Sequence, residues 1–267
     1  AVNENTKAKL AYSKRVARTT TFKMNPFPER EHAETLEQGD PDLRPEFIDL
    51  IELGIDKKLS EENSFFATAY YRSTKNVINR VNTVYSDNIL NRIYSNVGDA
   101  KTFGVEFGTQ LKLTAKSDAF IGGNIYHYNL NGSFDNNPVN TNTTVYSFNA
   151  NANYRFWENA TLQFSINYIS DRVTAQGEDS RYYTPNLSIQ KSFLNDKLKA
   201  TLQWLNIDMG LLDTNEQRIT TWRENEFYTT TNYIYEVDMI TLNLSYIFQN
   251  GKNRSKFIES EFGKREF

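Results

Sequence analysis

Residues 146–170, YSFNANANYRFWENATLQFSINYIS, alternate with a period of two, and this leaves little choice of fold. Tyr146, Phe148, Ala150, Ala152, Tyr154 and Phe156 share one parity, while Ser147, Asn149, Asn151, Asn153 and Arg155 share the other. Only a strand presents such a pattern as two faces. After the polar break Trp157-Glu158-Asn159-Ala160, Leu162, Phe164, Ile166 and Tyr168 alternate against Thr161, Gln163, Ser165 and Asn167. The stretch reads as two long strands joined by a tight turn.

The apolar row has aromatic residues near both ends and small or aliphatic ones between. Tyr146 and Phe156 lie about ten positions apart, which at ~3.3 Å per residue and a tilt near ~40° brackets a band of roughly 25 Å. That is the height of a bilayer-facing girdle. The opposite row carries three asparagines and an arginine, a poor lining for a dry core and a good one for a wet lumen. The pattern predicts a transmembrane β-barrel hairpin.

Composition agrees. Aromatic residues make up 14% of the chain, with 18 Phe and 16 Tyr, yet the mean hydropathy is -0.64. Half of each barrel strand faces water, so hydropathy averages stay low. No apolar run approaches the ~20 residues a spanning helix requires. The chain lacks cysteine, which removes disulfides, thiolate metal ligands and thiol nucleophiles. A net charge of -3 with scattered Lys and Arg gives no nucleic-acid footprint. With no leader-like segment at Ala1, the chain is expected to be an internal or C-terminal part of a longer exported precursor.

Taken in order, the alternation predicts about ten antiparallel strands, at about 7–15, 46–58, 64–85, 92–113, 119–130, 146–156, 161–170, 181–193, 198–207 and 233–248. Residues 16–44 hold Pro26, Pro28 and Pro41 among many charges and read as a long loop. NGSFDNNPVN (131–140) and the residues from 208 to about 230 read as further loops. Short turns alternate with longer polar connections, as expected when turns face the periplasm and loops face outside. Residues 1–248 are therefore expected to be barrel, and the densely charged residues 249–267 a solvated periplasmic tail.

One segment carries a family resemblance. Met24-Asn25-Pro26-Phe27, followed by Gly39-Asp40-Pro41-Asp42-Leu43-Arg44-Pro45-Glu46, resembles the LNPF and GNPxLxPE signature of TonB-dependent receptor barrels, specifically the outer membrane β-barrel family allied to SusC-like receptors. LAYSKRVARTT (10–20), AYYRSTKNVINR (69–80) and NVGDAKTFGVEFG (96–108) are similar to neighbouring strands of that family. Asp40 departs from the commoner Asn. The motif residues that carry the likeness are Asn25, Pro26, Phe27, Gly39, Pro41, Leu43, Pro45 and Glu46. The resemblance implies the C-terminal portion of a barrel of about 22 strands, in the outer membrane of a Gram-negative cell and in contact with its lipid. It also implies a plug domain and N-terminal strands of the same precursor, and, as further partners, TonB and a surface lipoprotein or another outer membrane subunit. Leu244, Tyr246 and Phe248 look like the closing-strand signal read by insertion machinery; Phe267, in the charged tail, does not.

Physically, GDPDLRPE reads as a stiff re-entry from loop to strand. Gly39 allows positive φ, Pro41 and Pro45 fix φ, and Glu46 opens the ladder. The only histidines are His32 and His127. His127 precedes Ser133 and Asp135, but spacing across a loop does not build a triad, so no catalytic residue is assigned. Asp135-Asn136-Asn137 lacks the spaced carboxylates of a calcium loop and reads as a turn; no metal or cofactor is expected. Glu106, Gln110, Lys112 and Arg155 are expected to solvate the inner wall. Two functions follow: receptor-like uptake of a bulky nutrient (a metal chelate, oligosaccharide or peptide), or a structural or assembly subunit that retains the barrel without transport. A complete ten-stranded barrel enzyme is a third.

Overall fold

The computed structural model describes residues 3–86, 89–210 and 216–248; the tail at 249–267 lies outside them. The chain begins with β1 (Thr6–Ala17), a single helical turn α1 (Thr21–Met24), β2 (Glu29–His32), β3 (Thr35–Gln38) and β4 (Glu46–Lys58). β5 (Ser64–Ser86), β6 (Ile89–Thr114), β7 (Ser117–Phe134), β8 (Asn137–Trp157) and β9 (Ala160–Ile169) follow. Then come β10 (Arg172–Thr174), β11 (Gly177–Asp179), β12 (Tyr182–Phe193), β13 (Leu198–Leu205), β14 (Glu216–Arg223), β15 (Phe227–Ile234) and β16 (Met239–Tyr246).

The main sheet runs β1-β4-β5-β6-β7-β8-β9-β12-β13-β16, with every step antiparallel. These are the ten strands expected. They form an open arc, with β1 and β16 as its edges.

Register carries one face across the arc. Leu10 sits opposite Leu53, Leu53 opposite Ala69, Ala69 opposite Val105, Val105 opposite Ile125 and Ile125 opposite Tyr146. Because partners share a face, this row is the outward one. Its large residues, among them Leu53, Phe103, Ile121, Phe148, Leu202 and Leu242, are exposed. A soluble sheet cannot leave such a belt in water, whereas a bilayer takes it up. Near the long-loop side the belt ends in rings at Tyr12, Tyr71, Phe103, Tyr146, Tyr168 and Trp204, with Tyr183 of the same parity buried. Two residues further on, the same parity turns polar at Lys14, Ser73, Lys101, Ser170, Arg181 and Asn206.

The inner face repeats the polar parity. Glu106 faces Thr68 and Asn124, and Asn149 faces Gly122 and Asn167. Glycines here seat aromatic rings: a Cβ at Gly104 would lie 2.6 Å from the Tyr70 ring, and one at Gly108 would strike Phe66.

Burial is concentrated elsewhere. Val77, Val81, Val97, Ala100, Leu130 and Val139 form the buried cluster, with Ile93, Phe134 and Ala175 packed on it. It lies at the long-loop end, where the walls leave lipid and must exclude water from their own apolar groups.

Three expectations change at that end. Residues 131–140 are not a loop: β7 and β8 continue to a tight turn where Asp135 (φ 50) and Asn136 (φ 62) take the left-handed conformation. Residues 16–44 are not irregular throughout: β2 and β3 pair, and β3 joins β6 in parallel from Thr35↔Leu90 to Gln38↔Ile93. β6 has a free edge there, because its pairing with β7 ends at Gly98↔Gly132. Finally, the tenth strand does not begin at residue 233. Positive φ at Asp238 separates β15 from β16, and β10, β11, β14 and β15 form a second sheet of four strands.

Candidate functional site

The motif residues assemble into a clamp at the base of the first long connection. α1 is capped by Thr20, whose side chain accepts the Lys23 N–H. Gly39 N–H donates to the Asn25 carbonyl at 2.6 Å, Asp40 N–H donates to that of Lys23 at 2.8 Å, and the Gln38 side chain donates to the Pro26 carbonyl at 2.7 Å. Gly39 serves here by lacking a Cβ, which would stand 2.5 Å from the Lys23 oxygen; the expected positive φ is not observed, since the positive-φ glycines are Gly98, Gly177 and Gly210. Leu43 is buried. Asn96 holds the next step, accepting from Arg44 N–H at 2.8 Å and donating to the Arg44 carbonyl at 3.0 Å. The Pro45 carbonyl accepts from Asn76, and the Glu46 carboxylate accepts the Ile78 N–H at 2.7 Å. Phe27 projects into solvent, 73% exposed, and Pro26 and Pro41 are exposed as well.

Above the clamp, the β2–β3 pair is tied to β6. Arg92 pairs with Glu31 at 2.7 Å, and the Tyr94 hydroxyl donates to Glu37 at 2.9 Å. Burial first, and then the Glu37 hydrogen bond, push the Tyr94 hydroxyl above its ordinary range.

The second sheet folds over the inner side of the wall. Its β10–β11 turn is latched to β5: Asn82 N–H donates to Gln176 Oε1 at 2.6 Å, Gln176 Nε2 returns a bond to the Asn82 carbonyl at 2.8 Å, and the Asn82 amide reaches Thr221 at 2.7 Å. The β14–β15 hairpin is held at its tip by Arg223, which pairs with Asp135 at 3.0 Å and lies over the Phe134 ring. β10 also touches β8, where Thr141 donates to the Thr174 carbonyl at 2.9 Å.

Between this roof and the wall lies a cleft of about 390 Å³, lined by Thr143, Asp171, Arg172, Val173, Glu178, Asp179, Ser180, Arg218, Thr220, Tyr228 and Thr230. Arg172 grips the buried Asp179 at 2.6 Å. A second cavity of about 270 Å³ shares Thr143, Arg172 and Val173 and opens along Tyr126, Tyr128 and Val145, which are inner-wall positions. The cleft thus communicates with the lumen face. Its size suits a small-molecule unit or one portion of a larger solute.

With a ten-strand arc, an outward apolar belt and a roofed mouth in place, the comparisons fall into line. Residues 1–246 match the outer membrane protein beta-barrel family. The chain belongs to that family. It is an integral protein of the outer membrane, and no helix among the described residues is long and apolar enough to cross a bilayer. No curated protein matches it.

This outer membrane barrel is similar in fold to the siderophore receptor PirA from Pseudomonas aeruginosa, with TM-score 0.57 and 14% identity over 88% of this chain and 40% of that one. It is also similar to the ferric yersiniabactin uptake receptor FyuA from Yersinia pestis, with TM-score 0.56 and 12% identity over 91% of this chain and 35% of that one. A third is a mutant of the ferric enterobactin receptor of Pseudomonas aeruginosa in complex with enterobactin, with TM-score 0.52 and 16% identity over 82% of this chain and 34% of that one. The chain therefore spans well under half the length of these receptors.

Other residues singled out from the sequence fall into separate places. His127 Nδ1 pairs with Thr144 at 3.1 Å on the outward parity, whereas Asp135 holds Arg223, so the two do not form a catalytic pair. His32 is exposed on β2. Lys112 reaches Glu62 at 3.8 Å near a short turn. Leu244, Tyr246 and Phe248 all project from the exposed face of the arc's last edge. The cleft residues carry no local signal, because Arg172 and Glu178 are separated from Thr220 and Tyr228 by about fifty residues and all lie on strands of low apolar content; only the Thr-rich TTTNYIY (229–235) hints at a strand there.

Proposed function

We propose that this chain is the C-terminal wall and mouth of a TonB-dependent receptor that takes up a bulky solute: a metal chelate, an oligosaccharide or a peptide. One observation carries the reading. The long-loop end has its own buried cluster and a second sheet, and together these hold a polar cleft over the inner wall. A barrel serving only as scaffold has no need of a structured mouth.

The remaining parts follow from physics. An unpaired strand edge cannot stand in hydrocarbon, so β1 and β16 would pair with the other strands of the same precursor in a barrel of about 22. A plug from that precursor would gate the lumen and engage TonB. Tyr246 and Phe248, 4.8 Å apart between ring centroids, together with Leu244, would present the closing-strand signal, and residues 249–267 would enter the periplasm. The likeness in fold to the siderophore receptor PirA and to the ferric yersiniabactin uptake receptor FyuA supports this class of function.

The test is uptake by cells expressing the full-length gene, with radiolabelled solutes drawn from the three classes. Accumulation that collapses with the proton-motive force, and on deletion of residues 172–179, supports the proposal. Passive, deletion-insensitive entry overturns it.

A further inference from the structure

The cleft has a chemical bias. Three carboxylates (Asp171, Glu178, Asp179) face two guanidiniums (Arg172, Arg218), leaving a formal charge of 2 − 3 = −1. Arg172 is already engaged by Asp179, whose carboxylate it meets at 2.6 Å. Among the described residues, an anionic ligand would therefore find a single uncommitted guanidinium, Arg218, facing an excess of negative charge.

The other groups are acceptors, hydroxyls and rings. On the β14–β15 ladder Thr220 stands opposite Thr230 and Trp222 opposite Tyr228, so all four share one face. The Thr220 and Thr230 hydroxyls lie 3.2 Å apart, each with hydrogen-bonding capacity to spare. The Trp222 and Tyr228 rings stack with centroids 6.5 Å apart and planes 23° from parallel. Tyr228 is 74% exposed, so its outer face is open. Across β11, Glu178 stands opposite Thr220. Thus an aromatic platform continues directly into a patch of hydroxyls and a carboxylate. An apolar C–H face stacks on such rings while flanking hydroxyl groups donate to carboxylates and accept from Arg and Thr.

From this juxtaposition we infer that the cleft binds a neutral saccharide unit, with one sugar ring on Tyr228 and Trp222 and its hydroxyls on Glu178, Arg218 and Thr230. This rests on the capture reading above and names its solute class. It sets the protein apart from the fold relatives that carry ferric chelates.

The test uses the full-length protein in lipid nanodiscs, free of lipopolysaccharide, titrated calorimetrically. The probes are neutral hexasaccharides of glucose, mannose and xylose, the O-chain of lipopolysaccharide, a ferric catecholate chelate and a mixed hexapeptide library. Binding of at least one neutral saccharide is expected, weakened tenfold or more by Trp222→Ala and by Tyr228→Ala, and restored to within about threefold by Tyr228→Phe. The O-chain arm separates a nutrient sugar from a surface glycan. Retained heat-modifiable migration on gels shows that each variant is folded. Chelate or peptide binding without saccharide binding overturns the saccharide assignment and leaves capture standing. Binding of no probe at all, or saccharide binding indifferent to both ring variants, overturns the assignment as well; in the first case the capture reading falls with it.

Discussion

The carboxylate of Glu46 accepts the backbone N–H of Ile78 at 2.7 Å, joining the first residue of β4 to the point where β5 is irregular. Register between β5 and β6 shifts at Thr74/Val77 and Val77/Ile78, and a shift of this kind leaves amides without a ladder partner. Glu46 supplies the missing acceptor from the neighbouring strand. The last residue of the motif thus anchors the transition from membrane wall to outer extension.

Glu46→Ala should cost about 1–3 kcal/mol, the usual penalty for a partly buried donor left unpaired. Glu46→Gln, which keeps an acceptor oxygen, should cost less than half as much. Urea unfolding of the barrel in lipid vesicles measures both. Equal losses for the two variants would show that charge, and not hydrogen bonding, is what matters at this position.

The inner wall makes a steric prediction. Gly108 lies beneath the Phe66 ring, so Gly108→Val should overpack the site by about 1–3 kcal/mol. Adding Phe66→Ala should recover part of that loss, because the two residues compete for one volume. Unfolding midpoints of the two single variants and the double variant test this; additive losses would refute the contact.

The roof should open as a unit. Gln176 makes two hydrogen bonds to Asn82, so Gln176→Ala should accelerate hydrogen exchange in β10, β11 and β14 while leaving β9 and β12 unchanged. Acceleration confined to residue 176 and its neighbours would show the latch to be local.

How far was this legible in the sequence? Most of the ten membrane strands and the lipid-facing parity were, because Val105, Phe148 and Leu242 sit in regular alternation, as a bilayer demands; around Leu53 the alternation is broken by Asp49 and Leu50. The roof was not. β10 and β11 have three residues each, and β14 and β15 read EQRITTWR and FYTTTNYI, with no apolar row of the membrane type. Their placement comes from distant partners such as Asn82, Asp135 and Phe134, which no local pattern reports. The β2–β3 pair was missed for a related reason: Glu31 and Glu37 meet Arg92 and Tyr94 of β6, about sixty residues away in sequence. In the motif, Glu46 opens β4, while Gly39 is required for close approach and not for a left-handed turn.

Alkaline pH should loosen β3 first. The Tyr94 hydroxyl is raised above the ordinary tyrosine range by burial and by Glu37. The folded protein therefore holds this proton more tightly than the unfolded chain does. The contribution is whole below about pH 10 and is lost as pH climbs through the raised folded value. Protection factors of the β3 amides should fall above pH 10, and Tyr94→Phe should flatten that fall. An identical fall in Tyr94→Phe would assign it to another group.

The central claim is that β8 crosses a bilayer with its even residues in lipid and its odd residues in the lumen. Because these 267 residues contain no cysteine, single cysteines introduced at each position from 146 to 156 can be read against the unsubstituted protein as the blank. In native outer membranes, residues 147, 149, 151, 153 and 155 should react with a small water-soluble maleimide. Residues 148, 150, 152 and 154 should resist it, and labels at these even positions should be quenched by brominated lipid. Reactivity with no period of two, or with the two parities exchanged, would contradict the account.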